Sequence, residues 1–316
     1  MLTVIVPNFN HSRFLGEALG ALVGQTRPFD EVIVIDDAST DDSVTVIEAW
    51  LPKLPNARLL RNQTNLGVVR NMNIGLELAR GSDIAFVAAD DVIYPEFFEK
   101  ILALLERHPQ AAFASSRTDI IDAAGTRVAR LNAPVPLAEA GFIDARTAAA
   151  QLMYDDAWFT GNATVFRRAC LLEVGGFPEE LAAFTDGYIS RLLAVRYGSC
   201  YTPEVLAAWR YMEGGIAWTY ANDVLRARRI ADLAEARLRE NGELFAAGYP
   251  ERWKNRYIFG ANRAALAQAR RLAKSESPAR FARALLREII GCVWLFLTLR
   301  PRDAVPVLRR RLNRKQ

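Results

Sequence analysis

Two carboxylate pairs, Asp36-Asp37 and Asp90-Asp91, each follow a short apolar run, Val32-Ile33-Val34-Ile35 in the first case and Ile84-Ala85-Phe86-Val87 in the second. Crowded carboxylates repel one another unless a cation, a hydrogen-bond donor or a proton relieves the charge. A metal ion with a phosphorylated substrate would do so, and so would a ligand offering N–H and O–H groups. Acidic residues after a strand also cap the helix that follows, which accounts for either pair alone more readily than for both. Other chemistries have less support. Only two histidines, His11 and His108, are present, too few for a His-built zinc centre. Cys170, Cys200 and Cys292 are odd in number and far apart, suggesting neither a disulfide framework nor a metal knuckle.

The runs that carry the pairs are β-branched and alternate with helical patterns, as parallel strands buried on both faces do. Leu2-Thr3-Val4-Ile5-Val6 is the first strand; Pro7-Asn8-Phe9-Asn10 breaks it, and Ser12 opens a helix with Phe14, Leu15, Leu19 and Leu22 on one face. Behind Asp36-Asp37, Ser39-Thr40-Asp41-Asp42 offers caps for a helix reaching Trp50. A short strand over 58–61 and a helix over 68–79, closed by Arg80-Gly81, lead to the strand before Asp90-Asp91. Pro95 opens a helix over 96–107, proline being favoured at the first helical position, and residues 111–116 make a fifth strand. The succession predicts an α/β fold on a doubly wound, mostly parallel sheet flanked by helices. Ligands of such sheets bind beyond the carboxyl ends of the strands, so both acidic pairs are expected in one crevice. Neither GxGxxG nor GxxxxGK[ST] occurs, which removes the two common phosphate loops.

Residues 117–160 are less regular. Beyond them the patterns predict a strand near 162–166, helices over 168–174 and 187–197, and a strand over 200–209. From about 221 the pattern is helical and rich in Ala, Arg and Glu, so a domain over 1–220 and a helical C-terminal extension over 221–316 are expected. Composition is ordinary for a globular chain, at 51% hydrophobic and 24% charged. Met1 leads straight into a strand, so no secretory signal and a cytoplasmic setting are expected.

The net charge is +4, yet residues 270–316 carry 13 Lys/Arg against 3 Asp/Glu, which leaves a net −6 on the remainder. Within this tail, Ile289–Leu299 is an uncharged run of 11 residues between basic clusters. A membrane span needs about 20. The run reads instead as an interfacial anchor on an anionic membrane surface, with a packed helix and a solvated basic end as the alternative. No interleaving of aromatic and basic residues marks a nucleic-acid face, and no nucleic acid is expected as partner.

Taken in order, Thr3–Asn10, Val32–Asp41, Asn65–Asn71, Ala88–Pro95 and Gly175-Gly176-Phe177 followed by Thr185-Asp186 resemble family 2 of the GT-A-fold glycosyltransferases over roughly residues 1–215. The resemblance implies transfer of a sugar from a nucleotide-activated donor, usually a UDP-sugar, with inversion at the anomeric carbon. It makes Pro7 and Phe9 a platform for the uracil ring and Asp37 the acceptor of its N3–H. Arg70 would meet the base or the phosphates, with Ala89 also at the nucleotide. Phe9 could equally be a core aromatic. Asp90 corresponds to the second aspartate of the family's D-x-D element and would hold Mn²⁺ or Mg²⁺ on the diphosphate. Asp91 would order the loop or touch the metal through water. Ala88 replaces the first aspartate, so weak metal affinity is expected.

By the same resemblance Asp186 is the general base that deprotonates the acceptor hydroxyl, a role that typically contributes about 10²–10⁴-fold; helix capping is its alternative and can coexist. Trp158, Phe159, Gly161 and Asn162 fall on the acceptor side, where Trp158 would stack on a sugar or else belong to the core. Arg210 would reach phosphate, Met212 stands where many relatives carry histidine, and Glu213-Gly214-Gly215 has the glycines of a lid. The acceptor implied by resemblance and tail is a saccharide, lipid-linked, in cell-surface polysaccharide synthesis. Two rivals remain. A nucleotidyltransferase would show a glycine-rich basic loop near its start, which is absent. A non-catalytic sugar-nucleotide-binding or scaffold protein is raised by Ala88 and Met212 and opposed by Asp37, Asp90 and Asp186.

Overall fold

The computed structural model describes residues 1–155, 158–212, 215 and 223–274, with side chains described as far as residue 263. Met1–Met212 and Glu213–Gln316 are two compact units.

In the first unit, β1 (Leu2–Asn8), β2 (Glu31–Asp36), β3 (Ala57–Arg61) and β4 (Asp83–Phe86) run parallel in the order β3-β2-β1-β4. Their β-branched interiors are shielded on both faces, with Val4, Ile5, Val6 and Val32, Ile33, Val34, Ile35 all at 0% exposure. Leu15, Leu19 and Leu22 of α1 (Ser12–Val23) and Ile47 of α2 (Ser43–Trp50) join Val4, Val6, Val32 and Val34 in one core. On α3 (Val68–Leu78), Gly75 rides directly on Ile5: a Cβ there would stand 2.5 Å from an Ile5 methyl, so only glycine permits this approach.

The second half of the sheet departs from simple winding. After β5 (Val92–Ile93) and α4 (Phe97–Arg107), β6 (Phe113–Ile121) runs well past the strand expected over 111–116. Its continuation is polar, with Ser115, Ser116, Thr118 and Asp119 all buried, so apolar patterning marks only its first part. Pro95 is not the first residue of α4; Glu96 is the N-cap, and the Pro95 carbonyl accepts the Thr26 N–H at 2.9 Å. β7 (Arg127–Arg130) pairs with β6, and β8 (Gly141–Ile143) precedes α5 (Ala145–Leu152). β9 (Thr164–Arg167) then lies antiparallel between β4 and β6. α6 (Arg168–Glu173) and α7 (Thr185–Tyr197) lead to β10 (Ser199–Arg210), which is parallel to β6 and antiparallel to β5 and β8.

The antiparallel β9 matters for the site. Its register sets Ala85 opposite Val165 and Ile84 opposite Phe166. The turn before β9, Gly161–Ala163, therefore stands at the edge where the parallel strands end.

In the second unit, α8 (Val224–Glu240) packs on α9 (Tyr249–Lys274), with Lys254 Nζ 2.8 Å from Glu235 Oε2 and the Phe245 and Tyr249 rings stacked. Among the described residues no helix is long and apolar enough to cross a membrane. The run 289–299 and the basic clusters after it lie outside the described residues, as do Glu213 and Gly214.

Candidate active site

β1 and β2 end side by side, with Asn8 opposite Asp36. Asn8 Nδ2 donates to Asp36 Oδ1 at 2.8 Å, and Asp36 Oδ2 accepts the Ser39 N–H at 3.1 Å, so Asp36 is spent on the loop. Both strands exit through strained backbone: Asn10 and Ala38 have φ of 57° and 61°. Such left-handed values cost a residue with a side chain energy and concentrate at functional sites. Cross-loop bonds maintain them, Asn10 Oδ1 accepting the Thr40 N–H at 2.8 Å and Ser39 Oγ the Asn10 N–H at 3.0 Å. Phe9 sits within this turn at 41% exposure, and Pro7 is half-buried. Phe9 is thus not a core aromatic; its ring is open, as stacking requires.

Asp37 has hydrogen-bond partners of its own within the fold. It is 2% exposed, Oδ1 accepts Asn62 Nδ2 and the Leu66 N–H, and Oδ2 accepts the Gly67 N–H, each at 2.8 Å. Gly67 is the N-cap of α3 at φ 88°, so Asp37 secures that helix from the neighbouring strand. Burial alone would raise the Asp37 carboxyl, but the Leu66 N–H, the Asn62 and Asn71 amides and the Gly67 N–H outweigh it and hold the group below the usual range. Arg70 is exposed on the first turn of α3.

Beyond β4, Ala88 is half-buried and Ala89 is buried at 2% exposure, leaving Ala89 little side-chain surface for a nucleotide. Asp91 is 5% exposed, and its Oδ1 accepts the Arg210 N–H at 2.8 Å. Burial and then the charge of Asp90 push the Asp91 carboxyl well above the usual range. Asp91 therefore ties the loop to β10, and half-buried Asp90 is the carboxylate available to a ligand. Among the described residues no three His, Cys, Asp or Glu side chains converge as a metal cage. One carboxylate together with substrate phosphates and water is nonetheless a donor set that Mg²⁺ and Mn²⁺ accept. The residues fit a cation held largely by its substrate.

Arg210 does not face an open phosphate site. It is 3% exposed, with Nε donating to the Asp90 carbonyl at 2.7 Å, Nη1 to the Asp122 carbonyl at 2.8 Å and Nη2 to Glu17 Oε2 at 2.5 Å. Its guanidinium also lies over the Phe14 ring, 4.8 Å from the centroid. Glu17 and Arg210 are 193 positions apart, and no local pattern marks either as the other's partner.

Asp186, in the first turn of α7, accepts the Gly187 N–H on Oδ1 at 2.7 Å. Its Oδ2 lies against Gly161, where an added Cβ would overlap it. Since Gly161 begins the turn before β9, this contact brings Asp186 to the edge where Asp90 and Asp91 follow β4. Burial pushes the Asp186 carboxyl above the usual range, against the Gly187 N–H and the charge of Arg191. Asn162 joins the same turn, its Oδ1 3.5 Å from Thr118 Oγ1, which meets Thr160 Oγ1 at 2.8 Å. Trp158 is 1% exposed, edge-on to Phe159 at 5.4 Å, so it is a core aromatic with no open face for a sugar.

Comparison with known proteins places this geometry. The family model described as glycosyl transferase family 2 matches residues 3–175. Escherichia coli YibD, an uncharacterized glycosyltransferase, is 37% identical over 103 residues, 33% of this chain and 30% of that protein. Mycobacterium tuberculosis MT1568 is 28% identical over 243 residues, 72% of each chain. The matched stretches span only 30% and 38% of the first two curated relatives. Among solved structures, S. aureus TarS 1-349 in complex with UDP-GlcNAc aligns at a TM-score of 0.58 and 20% identity, covering 92% of this chain and 81% of that one. The mannosyltransferase PcManGT from Pyrobaculum calidifontis, in complex with GDP-Man and Mn²⁺, aligns at 0.59 and 20% identity, covering 100% and 88%. These likenesses show the α/β fold to be of the GT-A type.

Proposed function

The chain belongs to glycosyl transferase family 2, and from that premise we propose that its crevice binds a nucleotide-activated sugar and transfers the sugar, with inversion, to an acceptor hydroxyl. The observation that carries this reading is the line of groups along one edge of the sheet. The open Phe9 ring follows β1, Asp90 follows β4, and Asp186 rests on the turn before β9.

Phe9 and Pro7 form the platform for the base, and the Asp37 carboxylate at the end of β2 takes a base N–H. Asp37 also holds the loop that brings Arg70 to the donor. A divalent cation bound by Asp90 and the donor diphosphate would stabilise charge on the leaving group. Asp186 removes the acceptor hydroxyl proton as that oxygen attacks the anomeric carbon, and the bond to the diphosphate breaks on the opposite face. Its raised carboxyl suits it to this work nearer neutral pH than an ordinary aspartate.

A UDP-sugar is the favoured donor, supported by the UDP-GlcNAc held by TarS. GDP-Man, held by PcManGT, is the alternative to test beside it. The acceptor is a saccharide, lipid-linked, of a cell-surface polysaccharide pathway, with the basic tail resting on the anionic cytoplasmic face of a membrane. In this organisation residues 1–220 carry catalysis and 221–316 form the helical extension.

The test is a thermal-shift series with UDP, GDP, UDP-GlcNAc and GDP-Man, each with and without Mn²⁺, since a ligand of the folded state raises its melting temperature. A Mn²⁺-dependent shift with one nucleotide, and turnover that Asp186→Asn abolishes, is the expected result. Absence of any shift at millimolar nucleotide would overturn the donor site in favour of a scaffold. Turnover indifferent to EDTA and to Mn²⁺ would remove the metal role alone.

A further inference from the structure

We propose that Arg210 is the positioning residue of the Asp90-Asp91 loop, and that Glu17 on α1 sets Arg210 in turn; the inference rests on the donor-site reading above. The loop is fixed at its ends by the sheet. Val87 N–H donates to the Ile5 carbonyl at 3.0 Å at the entrance, and Val92 pairs with Ala208 at the exit. Between these points the chain turns at Ala88, with the Asp91 N–H 3.3 Å from the Ala88 carbonyl. Nothing in that turn alone decides where the Asp90 carboxylate stands.

Arg210 decides it from two sides. Its backbone N–H holds the Asp91 carboxylate at 2.8 Å, and its Nε holds the Asp90 carbonyl at 2.7 Å. The peptide joining the two aspartates is thereby gripped through a side chain on one flank and a carbonyl on the other. The guanidinium is itself immobilised. Nη1 donates to the Asp122 carbonyl, Nη2 to Glu17 Oε2, and the flat face covers Phe14, so α1 supplies both an ion pair and a ring. The β6–β7 turn passes close to this pair, since a Cβ added at Gly125, φ 79°, would stand 3.3 Å from Glu17 Oε1. A lysine ammonium is a point charge and cannot span these three acceptors in one plane. With Ala88 in place of a carboxylate, Asp90 has no acidic neighbour across the turn to share the work, so its placement is the quantity that matters.

The experiment uses the full chain and reads the Mn²⁺ concentration giving half of the nucleotide-dependent thermal shift, with UDP and GDP as probes. Arg210→Lys is expected to raise that concentration about 10- to 100-fold, the usual cost of losing a partner behind a metal ligand. Glu17→Ala, whose carboxylate is half exposed, is the milder variant and should move it in the same direction. Asp186→Asn should leave it unchanged. If Arg210→Lys does not fold, Glu17→Ala decides. A wild-type shift that both variants reproduce at the same Mn²⁺ concentration, with only the unliganded melting temperature lowered, overturns the positioning role and makes Arg210 a structural residue. A wild type with no nucleotide-dependent shift overturns the donor-site reading, and this inference with it.

Discussion

The space a side chain would occupy at residue 161 is filled by the Asp186 carboxylate. Gly161→Ala must displace that carboxylate, because the intruding methyl would overlap Oδ2 and lie 3.3 Å from Cγ. Misplacing a catalytic group by about 1 Å can cost on the order of 10²-fold in rate. We expect kcat to fall by that order with the donor KM unchanged, measured by steady-state kinetics beside a nucleotide thermal shift. A variant with full kcat would show that the carboxylate works from elsewhere. The raised Asp186 carboxyl makes a second prediction. In the proposed role the carboxylate must be ionised, so kcat/KM should decline as pH falls through a value above the ordinary aspartate range near 3.9. Asp186→Asn should lose that acid limb with most of the activity, about 10²–10⁴-fold. The sign for stability is opposite. A carboxyl raised on folding favours the folded state at low pH, and this contribution is lost as pH rises through the folded value. Asp186→Asn should therefore melt no lower than wild type at pH 7, and a marked loss of stability there would contradict the burial cost assigned to the charge.

At the scale of elements, Asp37 joins β2 to α3. Asp37→Ala leaves the Leu66 and Gly67 N–H groups and the Asn62 amide without their acceptor. Each bond to a charged group is worth roughly 1.5–3 kcal/mol, so a loss of a few kcal/mol is expected in urea melts at pH 7. Because this carboxyl is lowered on folding, its stabilisation is present above the unfolded value near 3.9 and vanishes as pH falls through the folded one. The gap between variant and wild type should close in acid; a gap independent of pH would assign the loss to packing instead. Asp37 also shows where sequence reading stops. Its place at the end of β2 was legible from the β-branched run before it, as was the alternation of strand and helix through α4. Its partners were not, because Asn62 and Gly67 arrive through a crossover whose register local periodicity does not encode. The antiparallel insertion of β9 was hidden for the same reason, since it depends on pairing with β4 from beyond a long irregular stretch. Phe9 was open to two readings from sequence, and its exposure removes the core reading. Trp158 was equally open, and burial decided for the core. Arg210 was legible as a cation near the site but not as a brace, because Glu17, Asp122 and Phe14 meet it only in three dimensions.

At the scale of the whole molecule, charge is segregated along the chain, with +10 on residues 270–316 and −6 on the rest. A uniformly mixed surface of net +4 would attract an anionic membrane weakly. A chain segment of net +10 concentrates its attraction, since fields at a membrane fall off within a Debye length, about 8 Å at physiological salt. Each Lys or Arg near an anionic surface contributes about 1 kcal/mol. An apolar run of the length of Ile289–Leu299 adds burial at the interface without the roughly 20 residues a span requires. The full chain should therefore sediment with vesicles containing phosphatidylserine, bind neutral phosphatidylcholine vesicles weakly, and release as salt rises. Replacing Arg309, Arg310 and Arg311 together by glutamine should weaken the binding on the order of 100-fold, three such contributions being lost. Equal binding to neutral vesicles would assign attachment to the apolar run alone. No binding to either would overturn the membrane partner proposed for the tail.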